Sequence, residues 1–298
     1  MKDAFTSIRE TRFNEGIGCV HCVGVKMKRN GKYRNRQRYL CRNCGKSFND
    51  LTNSPVSGTR YLGKWSKFFL LMVEGYTLSK ISERLGIHLS TAFYWRHKVP
   101  FALRSLGFQT LKGIVESDET FFKESLKGRK VVHRKPKERG GRDKKRGISN
   151  LKIAVVVAQD RNGQVIAKKA GTGRVRAEEI DAVIGDFIEP SSLLCTATNY
   201  KKFALMRELK HETINLSKEG YVKKGIYHLQ HVNSYHKRLK DWMQRFQGVA
   251  TKYLDNYLYW FNFLQQSKKM ATKERANQML LSACQNSNII IVNYLREV

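Results

Sequence analysis

The chain has 298 residues, 41% of them hydrophobic, enough to bury a core in two or three units. Lys and Arg number 56 against 25 Asp and Glu, a formal net charge of +31; such an excess points to nucleic acid rather than an anionic membrane surface. A membrane partner would bring an amphipathic basic helix, a lipidation signal, a leader peptide or an 18-residue apolar run, and the sequence shows none of these.

In chain order, the first signal is a pair of Cys-x-x-Cys units, Cys19/Cys22 and Cys41/Cys44, with eighteen residues between them. The two-residue spacing lets both thiolates of a unit reach one ion, and four thiolates close a tetrahedral zinc site that is structural rather than catalytic. Gly24 and Gly45, just after the units, allow the backbone to turn around the metal. Residues 1–54 are therefore expected to form a zinc ribbon that is too small for a core of its own and dependent on its metal. Between Cys22 and Cys41 lie Lys26, Lys28, Arg29, Lys32, Arg34, Arg36 and Arg38, with Tyr33 and Tyr39 interleaved. Of these, Arg34, Arg36 and Arg38 are the candidate DNA contacts. Cys195 and Cys284 read as ordinary small apolar residues, and with four of six cysteines in a metal pattern a reducing cytoplasm is the expected compartment.

Residues 55–110 read as helical. Trp65, Phe68, Phe69, Met72 and Val73 recur at the spacing of an amphipathic helix. Thr77 is placed to cap a helix carrying Leu78, Ile81 and Leu85, Gly86 allows a sharp turn, and a second helix starts near Ser90. This is a helix-turn-helix pattern, whose second helix would present Tyr94, Arg96, His97 and Lys98 to a major groove.

From residue 111 the pattern changes to mixed α/β. Strands are expected at 114–122, 151–159 and 164–170, the last two joined by the hairpin turn Asp160-Arg161-Asn162-Gly163. A helix at 176–188, a short strand at 192–196 and a helix near 200–210 follow. The basic insertion 123–147 holds Arg134, Lys135 and Lys137; it reads as a solvated arm or, the reading favoured here, as a clamp on the DNA backbone. Two aromatic-rich helices, 229–246 and 252–265, are read as core.

Two clusters carry the chemistry. Asp118 stands within Val115–Phe122, where alternation puts Glu116 and Asp118 on one face and Glu119 on the other. A carboxylate in mid-strand must be solvated, paired or metal-bound. Asn233, Lys237 and Lys240 share one helix face at i, i+4 and i+7. His228, His231 and His236, with no carboxylate beside them in sequence, read as exposed or DNA-contacting rather than as a metal site.

Several stretches carry a family resemblance: Arg38-Tyr39-x-Cys41-x-x-Cys44-Gly45-Lys46-x-Phe48, Thr91–Lys98, Ser117–Thr120, His228 to Lys240, and Arg245 to Leu254. With these the chain resembles, almost end to end, bacterial insertion-sequence transposases with an N-terminal zinc ribbon, the ISXO2-like group of DDE transposases. The resemblance implies a multidomain α/β protein: zinc ribbon, helix-turn-helix segment, and a ribonuclease-H-like catalytic domain over 111–298 with C-terminal helices. It implies divalent metal, Mg²⁺ or Mn²⁺, beside the structural Zn²⁺, with Asp118 as the first aspartate, Asn233 as the third residue and Lys240 as the downstream lysine. It also implies double-stranded DNA partners (the element's terminal inverted repeats and target DNA), a homodimer or larger assembly on DNA, and a nucleoid-associated place in a bacterial cytoplasm. The chain departs from the family at the second aspartate, which is missing after Leu193-Leu194-Cys195-Thr196, as though deleted or replaced by Ala197. The expectation is a transposase impaired in catalysis; the alternative is an inactive DNA-binding protein or repressor derived from one.

Overall fold

The computed structural model describes residues 4–128, 147–197, 200–215 and 220–287. Arg134, Lys135 and Lys137 lie outside the described residues. The chain divides into two compact units, Met1–Gly107 with Phe263–Val298, and Phe108–Asn262.

The first unit opens with a helix that the sequence reading did not include, α1 (Ala4–Arg12). An antiparallel sheet follows, β1 (Met27–Tyr33), β2 (Arg36–Cys41) and β3 (Ser47–Phe48), in that spatial order. The β1–β2 turn is made by Arg34 and Asn35 at φ 47° and 60°, the left-handed pair that matches strand twist in a two-residue hairpin. The core here is small: Cys19, Tyr39, Cys41 and Phe48, with Phe13 and Met27 against them.

Helices α2 (Trp65–Val73), α3 (Leu78–Leu85) and α4 (Leu89–Arg104) come next. Trp65 of α2 stacks on Trp95 of α4 with ring centroids 4.1 Å apart, and Phe68 meets the same ring edge-on. Thr77 takes the N-cap position of α3 without a side-chain hydrogen bond, whereas the His88 ring caps α4 by accepting the Ser90 N–H. Gly86 ends α3 at φ 54°, where a side chain would be strained. Helix α4 runs through Pro100 to Arg104, farther than the sequence suggested. The C-terminal helix Thr272–Gln285 packs on α1, α2 and α4 and buries Ala276, Met279, Leu280 and Ala283. Sequence order had put this helix with residues 111–298; its apolar stripe instead completes the first unit.

The second unit is built on a five-stranded sheet with helices on both faces. Its elements are β4 (Ile114–Lys123), β5 (Lys152–Asp160), β6 (Val165–Thr172), α5 (Ala177–Ile184), β7 (Leu193–Thr196), α6 (Lys201–Met206), β8 (Lys210–Thr213), α7 (Gln230–Gln244) and α8 (Leu254–Gln266). The spatial order is β6-β5-β4-β7-β8; β4, β5 and β6 pair antiparallel, while β7 runs parallel to β4 and β8 parallel to β7. Strand β8 was not read from sequence: Lys-His-Glu-Thr is a polar edge segment with no apolar alternation. Val115, Val156, Ala158 and Ile166 face α5 and α6 in the main core. The other face of β4 and β5 carries α7, whose Trp242 packs on Trp260 and Phe261 of α8. The β5–β6 turn is closed by Asp160, whose carboxylate accepts the Gln164 and Lys112 N–H groups, and by Gly163 at φ 87°.

Candidate functional site

Two groups of side chains carry chemistry, one in each unit. In the first, Cys19 Sγ lies 3.7 Å from Cys44 Sγ and Cys22 Sγ 3.6 Å from Cys41 Sγ, and all four sulfurs are within 4.8 Å of one another. Tetrahedral bonds of about 2.3 Å set sulfurs about 3.8 Å apart, so this donor set fits zinc. Each Cys-x-x-Cys loop closes on a left-handed residue: Gly45 at φ 69° in the second and, in place of the expected glycine, Val23 at φ 60° in the first. The N–H groups of Val23 and Gly45 return to the carbonyls of Cys19 and Cys41. Backbone N–H groups of Cys44 and Asn43 face the Cys41 sulfur and draw its thiol down to about 7, whereas Cys22, despite the Gly24 N–H, is pushed up to about 12 by the neighbouring thiol of Cys44.

The basic residues nearby divide by surroundings. Arg34 is exposed at the hairpin tip, and Lys26, Lys28, Arg29 and Lys32 are exposed along and before β1. Arg36 turns inward to the Asp50 carboxylate at 2.6 Å, and Arg38 donates to Ser47 Oγ at 3.0 Å. On α4, Arg96 and His97 are buried, Arg96 against the Tyr76 carbonyl, while Tyr94 and Lys98 are half-buried. Two of the four candidate groove contacts on this helix are therefore core residues. Their polar types misled because α4 packs one face inward against its own unit, and that face carries an arginine and a histidine.

In the second unit, Asp118 lies on β4, where burial first and the Glu119 charge second push its carboxyl up to about 7; Lys240 acts in the opposite sense. Lys240 is thus within electrostatic reach of Asp118. Asn233, Lys237 and Lys240 are all exposed on α7, with Val232, Tyr235, His236 and Leu239 buried on the opposite stripe. Seven residues of helix separate Asn233 from Lys240 by about 10 Å. His236 is buried and held neutral, its ring pushed down to about 4 by burial and by Lys240. Clefts beside these residues, one of about 440 Å³, are lined by Lys123, Lys152, His236 and Lys240, and by Phe121, Lys123, Lys240 and Gln244.

The position of α7 is set by a residue that sequence reasoning passed over. Glu116 is 1% exposed, and its Oε2 accepts the N–H groups of His231 (2.9 Å) and Val232 (3.3 Å) in the first turn of α7. These are helix N-terminal N–H groups with no partner inside the helix, and a carboxylate suits that positive end. Glu116 therefore fastens the residue before Asn233 to β4, two positions from Asp118. The available signal was parity: Glu116 shares its face with Asp118, and a buried carboxylate demands donors.

The pairs between β4 and β7 run from Ile114↔Leu193 to Ser117↔Thr196. Ala197 is the next step, and continuing the ladder would bring it beside Asp118. Its methyl group packs with Cys195, Ile214 and Leu229.

The raised Asp118 value has a measurable consequence. A carboxyl that keeps its proton better when folded contributes stability that is full below its ordinary value near 3.8 and is lost as pH rises through 7. Asp118→Asn removes that loss. Urea unfolding is expected to show little difference at about pH 4 and a more stable variant at about pH 8, with a ceiling of about 4 kcal/mol. Equal differences at both pH values would contradict the placement of this side chain.

An uncharacterised protein of transposable element ISH50 from Halobacterium salinarum (strain ATCC 700922 / JCM 11081 / NRC-1) is 26% identical over 295 residues, covering 93% of this chain and 94% of that one. Two Mos1 structures are also similar. The pre-cleavage transpososome has a TM-score of 0.23 at 12% identity, covering 91% of this chain and 85% of that one. The paired end complex with Mn has 0.24 at 13%, covering 76% and 79%. Superpositions at this level are too weak to establish a shared fold. Among described residues, no helix is long and apolar enough to cross a membrane. Residues 110–265, more than half of the chain and spanning Asp118, Asn233 and Lys240, match the ISXO2-like transposase domain, and the chain belongs to that family.

Proposed function

We propose that this transposase-family protein binds the double-stranded ends of its element and no longer cuts them. The observation that carries this reading is the alanine just after Thr196, one residue past the last β4–β7 pair, Ser117↔Thr196, where an extended ladder would meet Asp118. The sheet order, three antiparallel strands followed by two parallel ones, supports a ribonuclease-H-like catalytic domain. Such a domain handles Mg²⁺ or Mn²⁺ through hard oxygen donors. Asp118 and a neutral Asn233 supply one negative charge between them, and Glu116 is already tied to α7 and to Arg161. These residues do not fit a two-metal centre. Lys240 is the proposed phosphate-holding group near Asp118.

Binding falls to the first unit. A zinc ribbon with Arg34 and the lysines of β1 on its surface, and a helix-turn-helix formed by α3 and α4 with Tyr94 and Lys98 outermost of the original four, are the proposed contacts. Arg36 and Arg38 support the ribbon from inside. The basic insertion containing Arg134, Lys135 and Lys137 is the proposed backbone clamp, and a homodimer or larger assembly on paired ends is the proposed form. The ISH50 relative is archaeal, so the reading does not restrict the element to bacteria.

The experiment is a mobility-shift titration of full-length protein on labelled terminal inverted repeats and on unrelated duplex of equal length. The ends should be preferred, and binding to both should weaken steeply with salt, as expected where Lys and Arg displace counterions. Equal affinity for both duplexes would remove end recognition from the proposal.

A further inference from the structure

The Glu116 anchor is part of a larger cluster. His228 stands just before α7, His231 is in its first turn, and Arg161 reaches in from the β5–β6 turn. Glu116 Oε1 lies 2.6 Å from His231 Nδ1 and 3.3 Å from His228 Nδ1. Arg161 Nη1 stands among all three groups, 3.0 Å from Glu116 Oε1, 2.7 Å from His228 Nε2 and 2.9 Å from His231 Nδ1. Its Nη2 donates to the Ile226 carbonyl at 2.9 Å.

The hydrogens of this cluster cannot all be placed. His231 Nδ1 needs a hydrogen to bond Glu116 Oε1 and a lone pair to accept from Arg161. His228 is asked for two lone pairs, one at Nε2 facing Arg161 and one at Nδ1 facing the Gln230 N–H at 3.3 Å, and a neutral imidazole has only one. Some donor must face a donor, or some acceptor an acceptor. The cluster calls for positive charge at its centre, and a guanidinium supplies it with hydrogens that do not match the acceptors. A metal ion has no hydrogens to place and takes a lone pair from each ligand.

We propose that Glu116, one ring nitrogen of His228 and His231 Nδ1 form a second metal site, separate from the cysteine tetrad and from Asp118. Arg161 fills it when the metal is absent. The three ligand atoms lie within 4.8 Å of one another, with Glu116 Oε1 at 2.6 and 3.3 Å from the two Nδ1 atoms; side-chain shifts of about an ångström reach the roughly 3.4 Å separation of ligands about 2.1 Å from a tetrahedral ion. Two imidazoles and one carboxylate, with the remaining position open to water, select a borderline divalent ion such as Zn²⁺ or Co²⁺ over Mg²⁺. The supporting shell is present: the two backbone N–H bonds to Oε2 orient the Glu116 carboxylate so that Oε1 faces the histidines. Arg161 has an exit, because its side chain is 26% exposed at the turn. An ion here would clasp β4 to the start of the helix that carries Asn233 and Lys240.

The test is Co²⁺ titration of metal-stripped full-length protein, followed by visible spectroscopy and metal analysis. The tetrad reports itself through thiolate-to-cobalt charge transfer; a nitrogen–oxygen site contributes ligand-field bands without that transition. Two equivalents are expected in the wild type, one with and one without thiolate character. His228→Ala and His231→Ala should lose only the second. Arg161→Met, which removes the competing cation, should bind it more tightly while the tetrad band stays unchanged. One equivalent in both the wild type and Arg161→Met would overturn the proposal. So would a second equivalent seen only in Arg161→Met, since the arginine would then be the resident cation, or one that survives both histidine substitutions.

Discussion

Chelating the tetrad metal, or replacing Cys41 with Ser, is expected to unfold residues 19–48 and abolish binding to element ends. The buried set of this segment is Cys19, Tyr39, Cys41 and Phe48, so two of its four core residues belong to the cysteine tetrad. A cluster of that size cannot offset the chain entropy of about thirty ordered residues. Structural zinc contributes about 10–16 kcal/mol of apparent binding energy in comparable small folds, far more than Tyr39 on Phe48 can supply. Limited proteolysis and metal analysis check this together. Rapid cleavage between Cys22 and Cys41 should accompany loss of about one zinc per chain, and the second unit should resist. A metal-free ribbon that stays folded and protected would contradict the assignment.

The second large effect is expected from Ala197→Asp. The β4–β7 ladder ends at Ser117↔Thr196, and one further step would set position 197 beside Asp118, where a new carboxylate could share an ion with it. It would add the charge that Asp118 and Asn233 lack. Metal stabilisation of the attacking and leaving oxygens is worth several kcal/mol, roughly a thousandfold in rate. The variant should bind Mn²⁺ more tightly, with affinity rising with pH through about 7 as the Asp118 proton is released, and it should nick labelled ends. Tighter Mn²⁺ binding without cleavage would mean that Ala197 is not the only lesion; unchanged binding would mean the ladder does not continue to this residue.

How legible all this was depended on the range of the physics involved. The cysteine spacing, the β5–β6 turn at Gly163 and the strand around Asp118 were readable because each is a local geometric demand of a few residues. The step from Thr196 to Ala197 was readable as a departure from a family pattern, but the β4–β7 pairing that ends at Ser117↔Thr196, one step short of Asp118, spans some eighty residues of sequence. Strand β8 was missed because it is polar at a sheet edge, and the C-terminal helix was grouped with residues 111–298 by sequence order, although it packs in a unit begun at the other end of the chain. Arg96 and His97 were assigned to a groove on residue type, although α4 buries that face. The histidines before α7 were set aside for want of a carboxylate nearby in sequence. Glu116, 112 residues before His228, supplies it.

The most direct measurement is strand cleavage by the unmodified protein on labelled terminal repeats with Mg²⁺ or Mn²⁺, with Asp118→Ala as control. The account predicts bound ends and no cleavage above that of the control. Cleavage that disappears in Asp118→Ala would contradict it, showing that the site works without a carboxylate at position 197.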